Sequence, residues 1–458
     1  MKSPEEHPLI EETYEPLGSF ELYKKSFSDL LKAPRDLWLL FIIKFCLYGS
    51  FSTFLAALSI YITEVKDFSD LYLCLAFAAI GGPCLIFFIF FGSFNDRYGI
   101  RYTLILGSLT ACLPFVVIAI YDDLLVSALI VMLPGAFSIS LIASSLEVGI
   151  KYYTQPHYRT LALSLYSVLS YVSLIIGGIL IEVLMVTGGK DFDTFRIIFI
   201  YCAINCVIAL VLSCFLRQLD FSSFEELEVT TTRAQQKSTW EFVREFIITK
   251  KFWRLFSVLL IVLIIKSITF QQAIALPLYM SRDLGSDKHY GLMIIINQVL
   301  LIIFLPIFTY SIYYFSAYEI FIIGGTIGIL AVLPLMFGAS YYTIISYILI
   351  SSIAESMYNP RLLEYVFEVS HKGKEGMIVS LAGIITIIIM VCSGMMGGGL
   401  LNEFCSAEGE TKCWLMWLIF AAVPLPGLLT LIFAKTCIEE PPFESQPYLS
   451  WVKEAKHT

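Results

Sequence analysis

Long apolar stretches alternate with short polar breaks along the whole chain. A helix needs about 20 apolar residues to cross a hydrocarbon core of about 30 Å, and twelve runs of roughly that length can be windowed. They predict spans at Leu37–Ile62, Leu71–Phe91, Tyr102–Ile120, Leu124–Gly149, Leu161–Val186 and Phe195–Leu216, then at Phe252–Tyr279, Tyr290–Tyr310, Tyr318–Phe337, Tyr341–Leu363, Met377–Leu401 and Cys413–Ala434. The break after the sixth run is different in kind: Arg217 to Lys251 is rich in Glu, Thr, Gln and Lys. The pattern therefore predicts an all-α membrane protein of two six-helix bundles, residues 37–216 and 252–434. A linker over 217–251 joins them, and polar tails cover 1–36 and 435–458. Within the linker a short amphipathic helix is predicted at Trp240–Ile248.

Composition excludes the main alternative. Hydrophobic residues make up 58% and charged residues 15% of the 458, against about 45–50% and about 25% in soluble domains. The expected partner is the lipid bilayer, and nothing points to nucleic acid. The net charge of -8 says less than the placement of the cations. Lys24, Lys25, Lys32, Arg35, Arg97, Arg101, Arg244, Lys250, Lys251, Arg254, Lys372 and Lys374 fall on one side of the predicted spans, and only Lys66, Lys190, Lys288 and Lys412 on the other. The positive-inside rule makes the richer side cytosolic. An even number of spans then puts both termini there, and the polar opening predicts that the first span directs its own insertion. Most of the eleven cysteines lie in apolar runs, where a thiol is a small hydrophobe. No Cys/His spacing suits zinc, so neither metal nor cofactor is expected. Cys405 and Cys413 sit in a polar loop on the non-cytosolic side, where a disulfide is open to them.

Ionisable residues inside the spans carry the chemistry. Lys266 lies near the middle of an apolar run, too deep to reach the headgroups easily, so it is expected to face a polar pathway. Glu355 is placed similarly. Lys44 could instead snorkel to the headgroups, and Glu147 and Lys151, at i and i+4, could form a local surface pair. Tyr48, Tyr166, Gln271, Gln272, Asn297, Gln298, Tyr358 and Asn359 are candidate cavity residues, with helix-to-helix packing as the alternative for each. Gly177-Gly178 and the Gly394–Gly399 run are expected to permit close helix contact or bending.

After the second span comes Gly92-Ser93-Phe94-Asn95-Asp96-Arg97-Tyr98-Gly99-Ile100-Arg101. This resembles the signature of the major facilitator superfamily, in the place where that family has it. The resemblance implies two bundles around a central cavity and gives Asp96, Arg97 and Arg101 a role in conformational change, with Asp96 facing a helix N-terminus. Three patches narrow the likeness: Lys44 to Gly49 with Ser59 to Thr63, Gly149-Ile150-Lys151, and Ala354-Glu355 with Pro360 and Leu363-Glu364. Together they resemble the proton-dependent oligopeptide transporters. That likeness implies that Lys151 and Glu355 pair across the cavity and bind solute. The family's two glutamates and arginine in the first span are here Leu40, Ile43 and Lys44. Proton coupling would then fall to Glu147 or Glu355.

The expected function is alternating-access transport of a small polar organic solute, of the short-peptide or amino-acid class, with proton coupling open. A carrier of sugars, drugs or organic anions and a transporter-shaped receptor are the alternatives, and no enzyme is expected. Glu5 to Ile10 and Tyr14 to Leu17 in the N-terminal tail resemble sorting signals read by adaptor proteins. They imply a lysosomal or endosomal address, with the plasma membrane as the alternative.

Overall fold

The computed structural model describes residues 19–61, 70–91, 94–121, 129–188, 191–218, 247–284, 290–312, 315–370, 375–405 and 412–433. Every regular element among them is helical. The first half contains α1 (Ser19–Leu31), α2 (Arg35–Ile60), α3 (Asp70–Phe91), α4 (Phe94–Tyr98), α5 (Ile100–Ile120), α6 (Ala136–Tyr153), α7 (Pro156–Gly188) and α8 (Phe192–Cys214). The second contains α9 (Lys250–Ile274), α10 (Leu276–Arg282), α11 (Tyr290–Ile312), α12 (Ala317–Ala331), α13 (Tyr341–Val369), α14 (Glu375–Phe404), α15 (Cys413–Ala422) and α16 (Leu425–Phe433). The sorting motifs, the C-terminal tail and all but the end of the predicted linker helix lie outside the described residues.

Ten of these helical segments are long and apolar enough to cross a membrane. The other two predicted spans are also helical, as α3 and α13. α13 is diluted by Ser351, Ser352, Glu355 and Asn359, whose partners lie inside the protein. Prolines cause the main departures from the predicted rods. Pro277 cannot continue the ladder of its span, and the chain breaks at Ala275 between α9 and α10. Pro424 and Pro426 similarly separate α15 from α16, and Pro134 sits in a π-helical turn over Val131–Gly135 that leads into α6. One element appears where a tail is predicted: α1, which buries Ser26 and Leu30 and packs on α7.

Within the first half α2, α5, α6, α7 and α8 pack around an aromatic cluster of Phe54, Phe115, Phe195 and Phe199. In the second half Trp417 is fully buried against Tyr279, Tyr347 and Phe420. The opposite faces are apolar and bare: α8 exposes Ile197, Ile204, Val207 and Val211. A patch of that kind belongs in lipid, and the protein is an integral, multi-pass membrane protein. Cys405 and Cys413 are joined by a disulfide at the end opposite the linker.

Gly177 shows how closely the helices approach. A Cβ there would lie 1.8 Å from Thr53 Oγ1 on α2, whereas one on Gly178 would meet nothing within 4 Å. Overpacking a close contact costs about 1–3 kcal/mol. Gly177→Ala should therefore lower the thermal midpoint in detergent by several degrees while Gly178→Ala leaves it alone, and equal midpoints would remove the packing argument.

Candidate functional site

Four helices each bring one ionisable side chain to a cavity of about 650 Å³ between the halves: Lys44 from α2, Glu147 from α6, Lys266 from α9 and Glu355 from α13. Tyr48, Tyr166, Gln272, Asn297, Gln298 and Asn359 also line it. Most of the predicted cavity and solute-binding residues thus meet in one chamber. Lys44 does not reach for the headgroups. Its Nζ lies 4.2 Å from the ring centre of Tyr48 and 4.5 Å from that of Tyr166, in cation–π contact with both.

On α13, Ser351, Glu355 and Asn359 recur every four residues, so one face of the helix is polar. Lys266 Nζ donates to Asn359 Oδ1 at 2.9 Å, and Asn359 Nδ2 donates to Glu355 Oε1 at 2.8 Å. Tyr171 of α7 donates to Glu355 at 3.3 Å and accepts from Asn359 at 3.3 Å. This chain links the two halves at mid-depth. Tyr171 was not among the predicted site residues: nothing in a one-dimensional pattern separates it from the other 25 of the 26 tyrosines. Asn297 accepts from Ser352 Oγ at 2.7 Å, joining α11 to α13 beside the chamber.

Three predicted site residues lie elsewhere. Gln271 is buried between α9 and α14, where its amide donates to the Ser393 carbonyl at 3.0 Å. Gly397 makes room for it, since a Cβ there would stand 2.6 Å from Gln271 Oε1. The neighbouring Gln272, about 100° further round the helix, is the one that faces the cavity. Tyr358 likewise turns away, towards Gly324 of α12.

Lys151 is the third. In this structure it is bonded not to Glu355 but to Glu375, at 3.0 Å, with further bonds to Ser370 Oγ at 2.6 Å and the Phe367 carbonyl at 3.2 Å. The reason is axial position. Phe367 and Ser370 lie 12 to 15 residues beyond Glu355, which along a helix is about 18–22 Å. Lys151 therefore belongs to a separate polar layer at the linker end. Tyr152 donates to Glu375 Oε2 at 2.8 Å, Thr160 to Glu364 at 2.7 Å, and Ser164 and Thr309 share a hydrogen bond of 2.6 Å. Arg361 pairs with Glu364 in the same layer.

The resemblance-derived gating residues sit at this end too. Asp96, in the short α4, accepts from the backbone N–H of Gly376 at 2.8 Å and of Met377 at 3.2 Å. It caps the N-terminus of α14, where the helix dipole favours an anion. Gly99 permits the turn: its φ is +81°, a left-handed conformation that costs glycine little. Arg101 donates to the Cys214 carbonyl at 2.8 Å, at the C-terminal end of α8, and Arg97 is exposed. Glu375 escaped the sequence reading because an acid beginning a helix after Lys-Gly-Lys looks like ordinary loop chemistry. These hydrogen bonds between the halves run from this layer up to Tyr171.

Comparison with known proteins adds two findings. A family model described as the Major Facilitator Superfamily matches residues 40–272. Among solved structures, a POT family transporter in complex with a thioalcohol-conjugated peptide superposes with a TM-score of 0.68 at 13% identity, covering 89% of this chain and 97% of that one. A POT family transporter in complex with 5-aminolevulinic acid gives 0.65, again at 13% identity and with the same coverage. No curated protein matches significantly.

Proposed function

Because the chain belongs to the major facilitator superfamily, whose family model covers more than half of it, we propose that it is a secondary transporter working by alternating access. Its cargo is a small polar organic solute of the short-peptide or amino-acid class. The observation that carries this is the chamber with one ionisable residue from each of α2, α6, α9 and α13. Buried ionic groups are costly in a bilayer unless they serve a polar pathway, and two cations with two anions suit a solute that carries both an amine and a carboxyl. The two solved structures it resembles are complexes with a thioalcohol-conjugated peptide and with 5-aminolevulinic acid, which supports the class.

The linker end is the cytosolic end. Its richness in Lys and Arg supports that orientation, as does the Cys405–Cys413 disulfide at the other end, where an oxidising compartment preserves it. The polar layer around Lys151 and Glu375 then closes the cytosolic mouth in this conformation, and Asp96 and Arg101 brace it. Proton coupling, where it operates, uses Glu147 or Glu355, since the first span offers only Leu40, Ile43 and Lys44 at the corresponding places.

Uptake of a labelled dipeptide into vesicles reconstituted with the pure protein tests the reading. Saturable uptake is expected, and acceleration by an inward proton gradient would add symport. Saturable binding with no flux of dipeptide, amino acid, sugar or organic anion would make the protein a receptor instead.

A further inference from the structure

We infer that both charges of the solute are held by the first half alone, carboxylate on Lys44 and ammonium on Glu147. The Lys266–Asn359–Glu355–Tyr171 chain is then an internal strut that solute binding leaves in place. This rests on the transport reading and differs from the roles that resemblance assigns, in which Glu355 takes the amine.

Three observations lead here. The first is bonding capacity. Lys266 already donates to Asn359, and Glu355 Oε1 already accepts from both Asn359 and Tyr171. Lys44 lies against the faces of Tyr48 and Tyr166, and its N–H groups meet no hydrogen-bond acceptor among the described residues. Glu147 lines the cavity and accepts no hydrogen bond among the described residues. A free donor and a free acceptor in a wet chamber are what an incoming carboxylate and ammonium need.

The second is their level. α2 and α6 touch where Leu40 meets Gly149, with a Cβ on Gly149 only 2.9 Å from the leucine. The first and fourth spans run in opposite directions, so the step from Leu40 to Lys44 and the step back from Gly149 to Glu147 both lead away from the linker end. The two charges stand about 6 Å and about 3 Å above that contact. They are close enough to act on each other electrostatically, and Glu147 acts on Lys266 as well.

The third is charge balance. The four ionisable residues sum to zero. A solute that is neutral overall keeps the chamber balanced, whereas a monovalent ion leaves an uncompensated charge in it, which is expensive at that depth. Above Glu147 the same face of α6 presents Ala143 and Ile139, and Phe88 of α3 stands across from them over Gly383. The solute's apolar side chain goes there.

Thermal stabilisation of the full-length protein in detergent, titrated with alanyl-alanine, its N-acetyl form and its C-terminal amide, tests the assignment. A charge-assisted hydrogen bond is worth roughly a tenfold to hundredfold change in affinity. Wild type should bind the free dipeptide at least about tenfold more tightly than either blocked form. Glu147→Gln should weaken the free dipeptide by about tenfold or more and make the N-acetyl form the best of the three. Lys44→Met should make the amide the best. Such reversals of preference cannot come from misfolding. The double variant Lys266→Met/Glu355→Gln, which removes the strut's charges and keeps the chamber neutral, should keep the wild-type order while losing flux in vesicles. The assignment is overturned if that double variant reverses the order and Glu147→Gln does not, or if wild type shows no preference or no binding. Charge-selective binding by a wild-type protein that gives no flux supports the site and counts against the transport reading.

Discussion

Lys266→Met is expected to stop solute flux while leaving a folded, purifiable protein. Its ammonium bonds to Asn359, and through Asn359 reaches Glu355. Removing it leaves the Glu355 carboxylate unbalanced in the strut between the halves, and breaking a buried ionic arrangement costs about 3–5 kcal/mol. Folding survives because Glu355 keeps its bonds to Asn359 and Tyr171 and faces a wet cavity. Transport does not, because the same amount of energy applied to one of two conformations changes their ratio by roughly 100-fold or more. Adding Glu355→Gln to Lys266→Met should recover part of the thermal midpoint but not the flux. Undiminished vesicle uptake by the single variant would mean that Lys266 has no part in the pathway.

The second large effect is at the linker end. Lys151→Glu and Glu375→Lys should each cripple transport, and the double reversal should restore part of it. The pair is well sheltered, with side chains 15% and 2% exposed. Either reversal sets like charges against each other at a contact of 3.0 Å, against the closed state of that mouth. Rescue is partial for a definite reason: Glu375 opens α14, and a cation at a helix N-terminus is disfavoured by about 0.3–1 kcal/mol. Spin labels placed on either side of the mouth should report wider separations in both single variants and a return towards wild type in the double. Absence of any recovery, in distance or in flux, would rule out the pair as a latch.

These expectations show what a linear sequence can and cannot carry. Periodic hydrophobicity gives the spans, and a charge inside a span is conspicuous, so Lys44, Glu147, Lys266 and Glu355 could all be nominated before any geometry was known. Helix-to-helix register could not. Whether Lys151 meets Glu355 or Glu375 depends on how far α6 and α13 are shifted along each other, and one sequence holds no measure of that shift. Which of Gln271 and Gln272 faces the cavity is hidden for a related reason: adjacent residues on a helix differ by about 100° in direction. Proline breaks were visible as residues but not as consequences, so the separation of α9 from α10 was read as a continuous rod. Resemblance placed Asp96 against a helix end correctly, and only packing could say that the helix was α14.

The contact between α3 and α14 differs from every other seam between the halves. Gly81 there lies against Val391 and Ile387, and Gly383 lies under Phe88. Among the described residues no side-chain hydrogen bond joins the two helices. Smooth hydrocarbon surfaces with glycines at the points of closest approach can slide without a discrete bond to break. That seam is suited to act as the pivot about which the halves swing, and a single bulky residue at Gly81, itself outside the cavity lining, would jam the swing.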